Sequence, residues 1–537
     1  MGTADPRSLC IIGTGRRTWH QADVGDAGAP EPLAMWEEVA RLAASDAGEP
    51  GILHAVESVQ VPYCHSWQYD DPPGRLAERL GAKPAHTHYS GMAGSTVQVL
   101  VDQTASRMSR GELDLAIIAG GEALATKRRM RKAGAEPNWS HPPETPPPFP
   151  WEEPFHPAEL SHEVLQAYLT FALFDTARQG HLGTPSGEYR HQLGAMMSKL
   201  SAVAARNPYA WFAEELPPDE IAEPSAANRM VAWPYTKRMT AIMDVDMAAG
   251  VLLSTHAKAD ELGIPAERRV YLRGWCYAHD PFYVAERPDM WRSAAMEKVF
   301  SEALRCAGAG IDEVAHLDLY ACFPGSVNFA RDALGIGEDD SRVPSVTGGL
   351  PYHGGPGSNP VTHALATMTE VLRQDPGSLG LVSGVGMHLS KHSAGVYSTT
   401  PGPLPVPAEE RAQQEVDAEG SCHIEEHFEG EAVVLAGSVV HGSSGEPEWG
   451  VLVCEAPPTS RPVADRQGAD RHGADRPGAG TRCYAKVFDP AMLGLIEDSG
   501  RAGLAGETVL LRTEPLGEEN ANVFIPAGTL VNVARLA

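Results

Sequence analysis

The sequence predicts an α/β protein built on a duplicated strand–helix unit. A helix-and-loop cap is inserted in its first half, and a small all-β, OB-like domain follows at its end. Three observations carry this expectation. Short apolar strands alternate with helical segments, as in parallel-sheet proteins. A stretch of about thirty residues recurs, "GSTVQVLVDQTASRMSRGELDLAIIAGGEA" (94–123) against "GSNPVTHALATMTEVLRQDPGSLGLVSGVGMH" (357–388). The composition changes after the Pro-rich "TTPGPLPVPAEE" to short Val- and Thr-rich runs.

The elements follow in order. "SLCIIGTG" (8–15) reads as a buried strand, "PLAMWEEVARLAASDAG" (32–48) as a helix closed by Gly48, and "AVESVQVP" as the next strand. Each repeat starts Gly-Ser, runs through a helix of about four turns and enters a buried strand ending in glycines. The pattern is lost over about 127–235, read as the cap, with helices expected in "SHEVLQAYLTFALFDTARQG" and "YRHQLGAMMSKLSAVAARNP". "EAVVLAGSVV", "WGVLVCEA" and "ETVLLRTE" supply the strands of the last domain. Inside it, "ADRQGADRHGADRPG" (464–478) cannot bury a core and reads as a flexible loop. The expected divisions are 1–265, 266–400 and 401–537.

Charge and composition exclude some functions. With 43 basic and 70 acidic residues the net charge is -27, which argues against nucleic-acid and anionic-membrane partners. No apolar run of about 20 residues marks a membrane span. The eight scattered cysteines form no C-x-x-C pair and no metal pattern, and the N-terminus lacks a secretory signal. A cytoplasmic protein with reduced thiols and no metal is expected.

Four segments could carry chemistry. "YSGMAGST" (89–96) puts Ser95 and Thr96 at a helix N-terminus, as caps or as oxyanion donors. "HLDLYACFPGS" (316–326) places Tyr320 and Cys322 just past a strand end, where α/β sites gather. "PYHGGPGSN" (351–359) offers Tyr352, His353 and Asn359 on a loop whose Gly354, Gly355 and Gly357 allow close backbone approach. "LVSGVGMHLSKH" (381–392) sets His388 and His392 after the second repeat's strand. The one dense basic run, "KRRMRK" (127–132), is a solvated helix face or a clamp for an anion.

Taken together, the repeat, "LAIIAGGEA", "DLYACFP", "TGGLPYHGGPG", "LVSGVGMHLSKHSAGVYS" and "PYTKRM…DVDMAAGVLL" resemble the thiolase superfamily. The tail after residue 400 is similar to the extra domain of thiolase-like proteins of type 1, often labelled acetyl-CoA acetyltransferases. The resemblance implies a five-layer α-β-α-β-α fold and an acyl-CoA or acyl-carrier thioester as substrate, with no separate cofactor. It implies a homodimer, or a monomer because of the extra domain. The family's nucleophilic Cys falls at about Gly94, its G-H-P triplet on Gly354-Gly355-Pro356, and its second Cys at about Val382. Every standard catalytic position is therefore altered.

Two functions follow from that pattern. One is an acyltransferase or C–C bond enzyme with a rebuilt site, where Cys322, His353 and Tyr320 act as nucleophile or acid, general base and proton donor. Ser95, Thr96, Tyr352, Gly354, Gly355, Gly357, Asn359, His388 and His392 would contact substrate, and Arg128, Arg131 and Lys132 the CoA phosphates. The other is a non-catalytic acyl-CoA- or lipid-binding or scaffold protein on the same fold.

Overall fold

The computed structural model describes residues 4–145, 155–457, 480–517 and 528–536. The first half contributes strands β1 (Leu9–Thr18), β2 (Ser58–Val61), β3 (His86–Tyr89) and β4 (Leu115–Ala123). A short hairpin, β5 (Met230–Ala232) and β6 (Tyr235–Thr236), ends the cap, and β7 (Asp246–Thr255) closes the half. The second half holds β8 (Val270–His279), β9 (Val314–Asp318), β10 (Leu379–Gly386) and β11 (Lys391–Ser398). Every residue of β4 and β7 is buried. Their near-continuous apolar runs fit strands covered on both faces.

The strand order β3-β2-β4-β7-β1-β8-β11-β10-β9 makes the duplication explicit. In the first half β2 runs parallel to β4, and β4 and β1 flank β7 antiparallel. In the second, β9 runs parallel to β10, and β10 and β8 flank β11 antiparallel. The halves meet through a brief β1–β8 pairing at Cys10 and Ile11. Between them lie the two repeat helices, Thr96–Ser109 and Pro360–Gln374, each touching strands of both halves. Pro32–Ala47 and Pro72–Leu80 cover the outside of the first half, and Ala294–Ala307 covers that of the second. The result is five layers, α-β-α-β-α.

The cap leaves between β4 and β7. Its helix Ala167–Leu182 starts later than the sequence pattern implied, because a turn at Glu163 (φ 60°) separates it from the short Pro157–Ser161 helix. It is buried along most of its length, wedged between the Pro324–Leu334 helix and the C-terminal domain.

That domain contains β12 (His423–Ile424), β13 (Gly430–His441), β14 (Pro447–Ala456), β15 (Thr481–Val487), β16 (Thr508–Pro515) and β17 (Leu530–Leu536). β13, β14, β15, β17 and β16 pair in that order, and β16 pairs back onto β13. Only β15–β17 is parallel within the ring. The helix Pro490–Ile496 lies between the third and fourth barrel strands. This is a closed five-stranded barrel of OB-like topology. Residues of the cap join its sheet, since β5 pairs with β13 at Ala232–Val440. The "ADRxG" stretch, 464–478, lies outside the described residues. All eight cysteines are free. No helix among the described residues is long and apolar enough to cross a membrane.

Candidate functional site

A cleft of about 330 Å³ opens at the N-terminus of the Thr96–Ser109 helix. Ser90, Ser95 and Thr96 line it from the β3–helix loop, and Met387, His388 and Lys391 from the β10–β11 turn. That turn is unusual in local structure: Met387 and Leu389 both have left-handed backbone, at φ 54° and 58°. Non-glycine residues there cost roughly 1–3 kcal/mol each and persist only when their surroundings hold them. The holder is Arg287, buried from solvent, which donates to the carbonyls of His388 (3.3 Å) and Leu389. Its guanidinium lies 4.1 Å over the Phe174 ring and 3.7 Å from Asp280.

His388 thus hangs between two strained residues, with Nδ1 3.0 Å from Thr170 Oγ1 and its ring 5.0 Å from that of Phe155. Burial, with the Arg287 charge adding to it, pushes its pKa down to about 4, so the ring is neutral at pH 7. His392 does not reach the cleft. Its Nε2 lies 3.0 Å from Asp280 Oδ2, inside the buried Asp280–Arg287 cluster.

The corner after β9 approaches the same loop from below. Pro324 starts the next helix, where a missing N–H costs nothing. Tyr320 is anchored by its own N–H to Ser383 Oγ (3.0 Å) and by Ser326, whose hydroxyl donates to the Tyr320 carbonyl at 2.5 Å. Its phenol then reaches Gly94: a β-carbon there would overlap the phenolic oxygen and the Val385 carbonyl. Tyr320 therefore fills the place at which the family resemblance puts the nucleophile. Cys322 is buried beside it, and burial pushes its thiol up to about 12.

The glycine loop closes onto protein. Gly357 (φ 55°) sits against the Glu122 carboxylate, which accepts from the N–H groups of His65 and Ser66, both at 2.8 Å. Gly354 (φ 106°) sits against Met247 and Val245. Asn359 Nδ2 donates to the Gly120 carbonyl at 2.8 Å, clasping the loop to β4. Tyr352, His353, Gly354, Gly355, Gly357 and Asn359 do not line the cleft. His353 is buried with its ring 5.1 Å from that of His363, and burial takes its pKa down to about 4. The Tyr352 hydroxyl, His353 Nε2 and both His363 ring nitrogens lack a hydrogen-bond partner.

The basic run forms the helix Leu124–Lys132, also away from the cleft. Arg128 pairs with Asp244, and Arg131 pairs with Glu136 at 3.1 Å. Lys127 donates to the Ser66 carbonyl at 2.8 Å, while Lys132 is exposed. Of the residues singled out from sequence, the structure brings Ser95, Thr96 and His388 together, with Tyr320 behind them. It adds Lys391, which lies in "LVSGVGMHLSKH" but was not singled out, and, through its contact with His388, Thr170, which carried no motif. Lys391 had a local signal in its position one residue before His392. Thr170 had none, because it lies 218 positions from His388. Among the described residues no group of three or more His, Cys, Asp or Glu is arranged to hold a metal.

No family model and no curated protein matches the sequence. Solved structures do match. A monomeric SCP2-thiolase like protein type 1 from Mycobacterium smegmatis superposes with a TM-score of 0.79 at 27% identity, covering 100% of both chains. An Ltp2-ChsH2(DUF35) aldolase matches at TM-score 0.56 and 14% identity, over 74% of this chain and 99% of its own. The Acat5 thiolase from Ascaris suum, solved in complex with coenzyme A, matches at 0.52 and 13%, over 73% and 99%. The last two speak to the fold alone.

Proposed function

This chain is a member of the thiolase superfamily, and from that premise we propose that it processes an acyl thioester in the cleft at the start of the Thr96–Ser109 helix, by proton transfer rather than through a cysteine acyl-enzyme. The observation that carries the reading is the state of the centre. Tyr320 occupies the space beside Gly94, and the neighbouring Cys322 thiol stays protonated far above neutral pH. A thiolate nucleophile is what the covalent route requires.

The groups that remain suit non-covalent C–C chemistry. The thioester carbonyl would sit at the helix N-terminus, near Ser95 and Thr96. In a retro-aldol step on a β-hydroxyacyl thioester, neutral His388 takes the hydroxyl proton. The C–C bond then breaks as a carbonyl forms on one fragment. The electron pair passes to the thioester enolate, which takes back the proton held by the His388 imidazolium, while the Tyr320 phenol, behind the Ser95–Thr96 end of the cleft, positions that end and stays protonated. The reverse sequence is an aldol addition. His353, which the sequence put forward as general base, is buried off the cleft and takes no step in this scheme.

A second reading, a non-catalytic acyl-CoA- or lipid-binding or scaffold protein, is favoured by the sealing of the glycine loop and its histidines in the interior. One experiment separates the two. The purified protein is incubated with a panel of acyl-CoA and β-hydroxyacyl-CoA esters, and products and protein adducts are read by mass spectrometry. Turnover that survives Cys322→Ala and falls at least tenfold in Tyr320→Phe and His388→Ala supports the enzyme. An acyl adduct on Cys322 overturns the non-covalent route. Tight ester binding without turnover across the panel supports the second reading.

A further inference from the structure

Another cavity, of about 140 Å³, lies between the cap and the second half and shares no residue with the cleft at His388. Three helices wall it. Arg178 comes from Ala167–Leu182, Tyr189, Leu193, Met196 and Lys199 from the next cap helix, Ser186–Ala204, and Asn328 and Arg331 from Pro324–Leu334. The middle helix contributes at spacings of four, three and three, so one stripe of it faces the cavity. The connection 336–344 forms the remaining side.

The floor is polar and fully supported. Tyr189 is 1% exposed and Asn328 6%. The Tyr189 oxygen accepts from Arg178 Nη1 at 3.2 Å and from Asn328 Nδ2 at 3.3 Å, and its hydroxyl donates to Asp175 Oδ1. Asn328 Nδ2 also donates to Asp175 Oδ1 at 3.3 Å, so both amide protons are engaged. The Asn328 carbonyl accepts no hydrogen bond among the described residues, and it is the free acceptor of a side chain that lines the cavity. One wall is apolar, made by Leu193, Met196, Leu317 and Ile336, all buried.

The charges around the cavity do not cancel. Arg178 donates to both oxygens of Asp332, at 2.5 and 2.9 Å, and Arg342 to both of Asp340, at 2.9 and 2.6 Å. Burial pushes Asp175, beneath the floor, towards its neutral form. Arg331 donates to the Gly337 carbonyl and to Met196 Sδ, and neither it nor Lys199 forms an ion pair among the described residues. With Glu338 the remaining acid of the lining, the rim keeps one positive charge.

We propose that this cavity binds a short aliphatic hydroxycarboxylic acid, with its carboxylate between Lys199 and Arg331, its carbon chain on the apolar wall and its hydroxyl on the Asn328 carbonyl. Size sets the class: a cavity near 150 Å³ takes a ligand of about the size of benzene, roughly six heavy atoms. A nucleotide or a pantetheine arm is too large. Inorganic phosphate matches the charge but leaves the apolar wall uncovered. A ligand here would tie the cap to the Pro324–Leu334 helix, which starts just after Cys322.

The test is calorimetric titration of the full chain with 3-hydroxybutyrate, butyrate and inorganic phosphate, with thermal unfolding as a second readout. 3-Hydroxybutyrate should bind at one site several-fold more tightly than butyrate, butyrate more tightly than phosphate, and both acids should raise the unfolding midpoint. Lys199→Gln/Arg331→Gln, and Lys199→Gln alone at its exposed position, should weaken both acids several-fold, by less at high salt, with the circular dichroism spectrum unchanged. Asn328→Leu should bring 3-hydroxybutyrate down to the affinity of butyrate. Lys391→Gln, in the thioester cleft, should leave acid binding unchanged. No saturable binding of either acid, binding unaltered in both Lys199 variants, or a loss in Lys391→Gln overturns the site. Butyrate bound as tightly as 3-hydroxybutyrate, or phosphate as tightly as the acids, overturns the assigned ligand class.

Discussion

The phenolic oxygen of Tyr320 stands in the volume that a side chain on Gly94 would occupy, with the Val385 carbonyl closing the same space from the other side. The two residues are 226 positions apart and belong to opposite halves of the duplicated fold. Gly94→Ala therefore meets backbone as well as a ring held by Ser383 and Ser326. Overpacking of this kind costs typically 1–3 kcal/mol. Denaturant titration should show that loss in Gly94→Ala and a smaller one in the Tyr320→Ala background. A penalty of equal size in both backgrounds would show that the ring is not what fills the space.

Cys322 should be inert in the folded protein. With its thiol pushed up to about 12 by burial, on the order of one molecule in ten thousand or fewer is thiolate at pH 7.5. Iodoacetamide under native conditions should leave Cys322 unmodified while unfolded protein reacts fully, as read by peptide mapping. Native labelling within minutes contradicts this environment and reopens the covalent route.

The Asp280–Arg287 pair should set part of the acid limit of stability. Burial works against the Asp280 carboxylate, but the Arg287 charge and the hydrogen bonds from His392 and Ser293 outweigh it and hold the pKa near 2. A folded pKa below the unfolded value of 3.8 gives stability that is present above pH 4 and lost as pH falls toward 2. The shift corresponds to about 2 kcal/mol. Asp280→Asn should cost about 3–5 kcal/mol at pH 7, because it leaves a buried guanidinium uncompensated. Its deficit against wild type should narrow between pH 4 and 2, by equilibrium unfolding at each pH. A deficit constant over that range means the carboxylate charge contributes nothing.

Which parts of this were legible in the sequence follows from how far apart the cooperating residues lie. The two Gly-Ser helices and their glycine-ended strands are local patterns, and they announce the duplication, while the five layers were implied by the family resemblance. The closure of the barrel depends on β13 pairing both β14 and β16, and the contribution of the cap depends on Ala232 meeting Val440, a pairing with no local signature. The charges show the same limit: "KRRMRK" is conspicuous as a run, but the acids that pair with it, Asp244 with Arg128 and Glu136 with Arg131, are apparent only in the fold. His353 and Cys322 looked reactive by residue type. Burial, which no motif reports, is what quietens them.

The cap–barrel junction should weaken as pH rises from mildly acidic to neutral. Glu159, in the cap, accepts from the Tyr484 hydroxyl of β15 at 2.8 Å and from the N–H groups of Val284 (2.7 Å) and His156 (2.9 Å). Burial outweighs these bonds and raises its pKa to about 7. An acid whose folded pKa lies above its unfolded value of 4.5 holds a proton in the native state that the unfolded chain has released. Stability then falls as pH rises from about 4.5 to 7, by about 3 kcal/mol, and levels off above that. Two other groups at the junction bracket this window: burial drives His162, whose Nε2 accepts from the Asn532 N–H at 2.9 Å, down to about 3, and takes Lys486 of β15, paired with Glu163 of the cap, down to about 7, so both act alike in wild type and in a Glu159 variant. Glu159→Gln keeps an acceptor for Tyr484 and removes the titration. Relative to wild type it should gain stability steadily between pH 5 and 7, in thermal or denaturant unfolding followed by the Trp449 and Tyr484 signals of the barrel. Parallel stability curves for the two proteins over that range would mean that Glu159 is ionised in the native junction and that burial does not govern its proton.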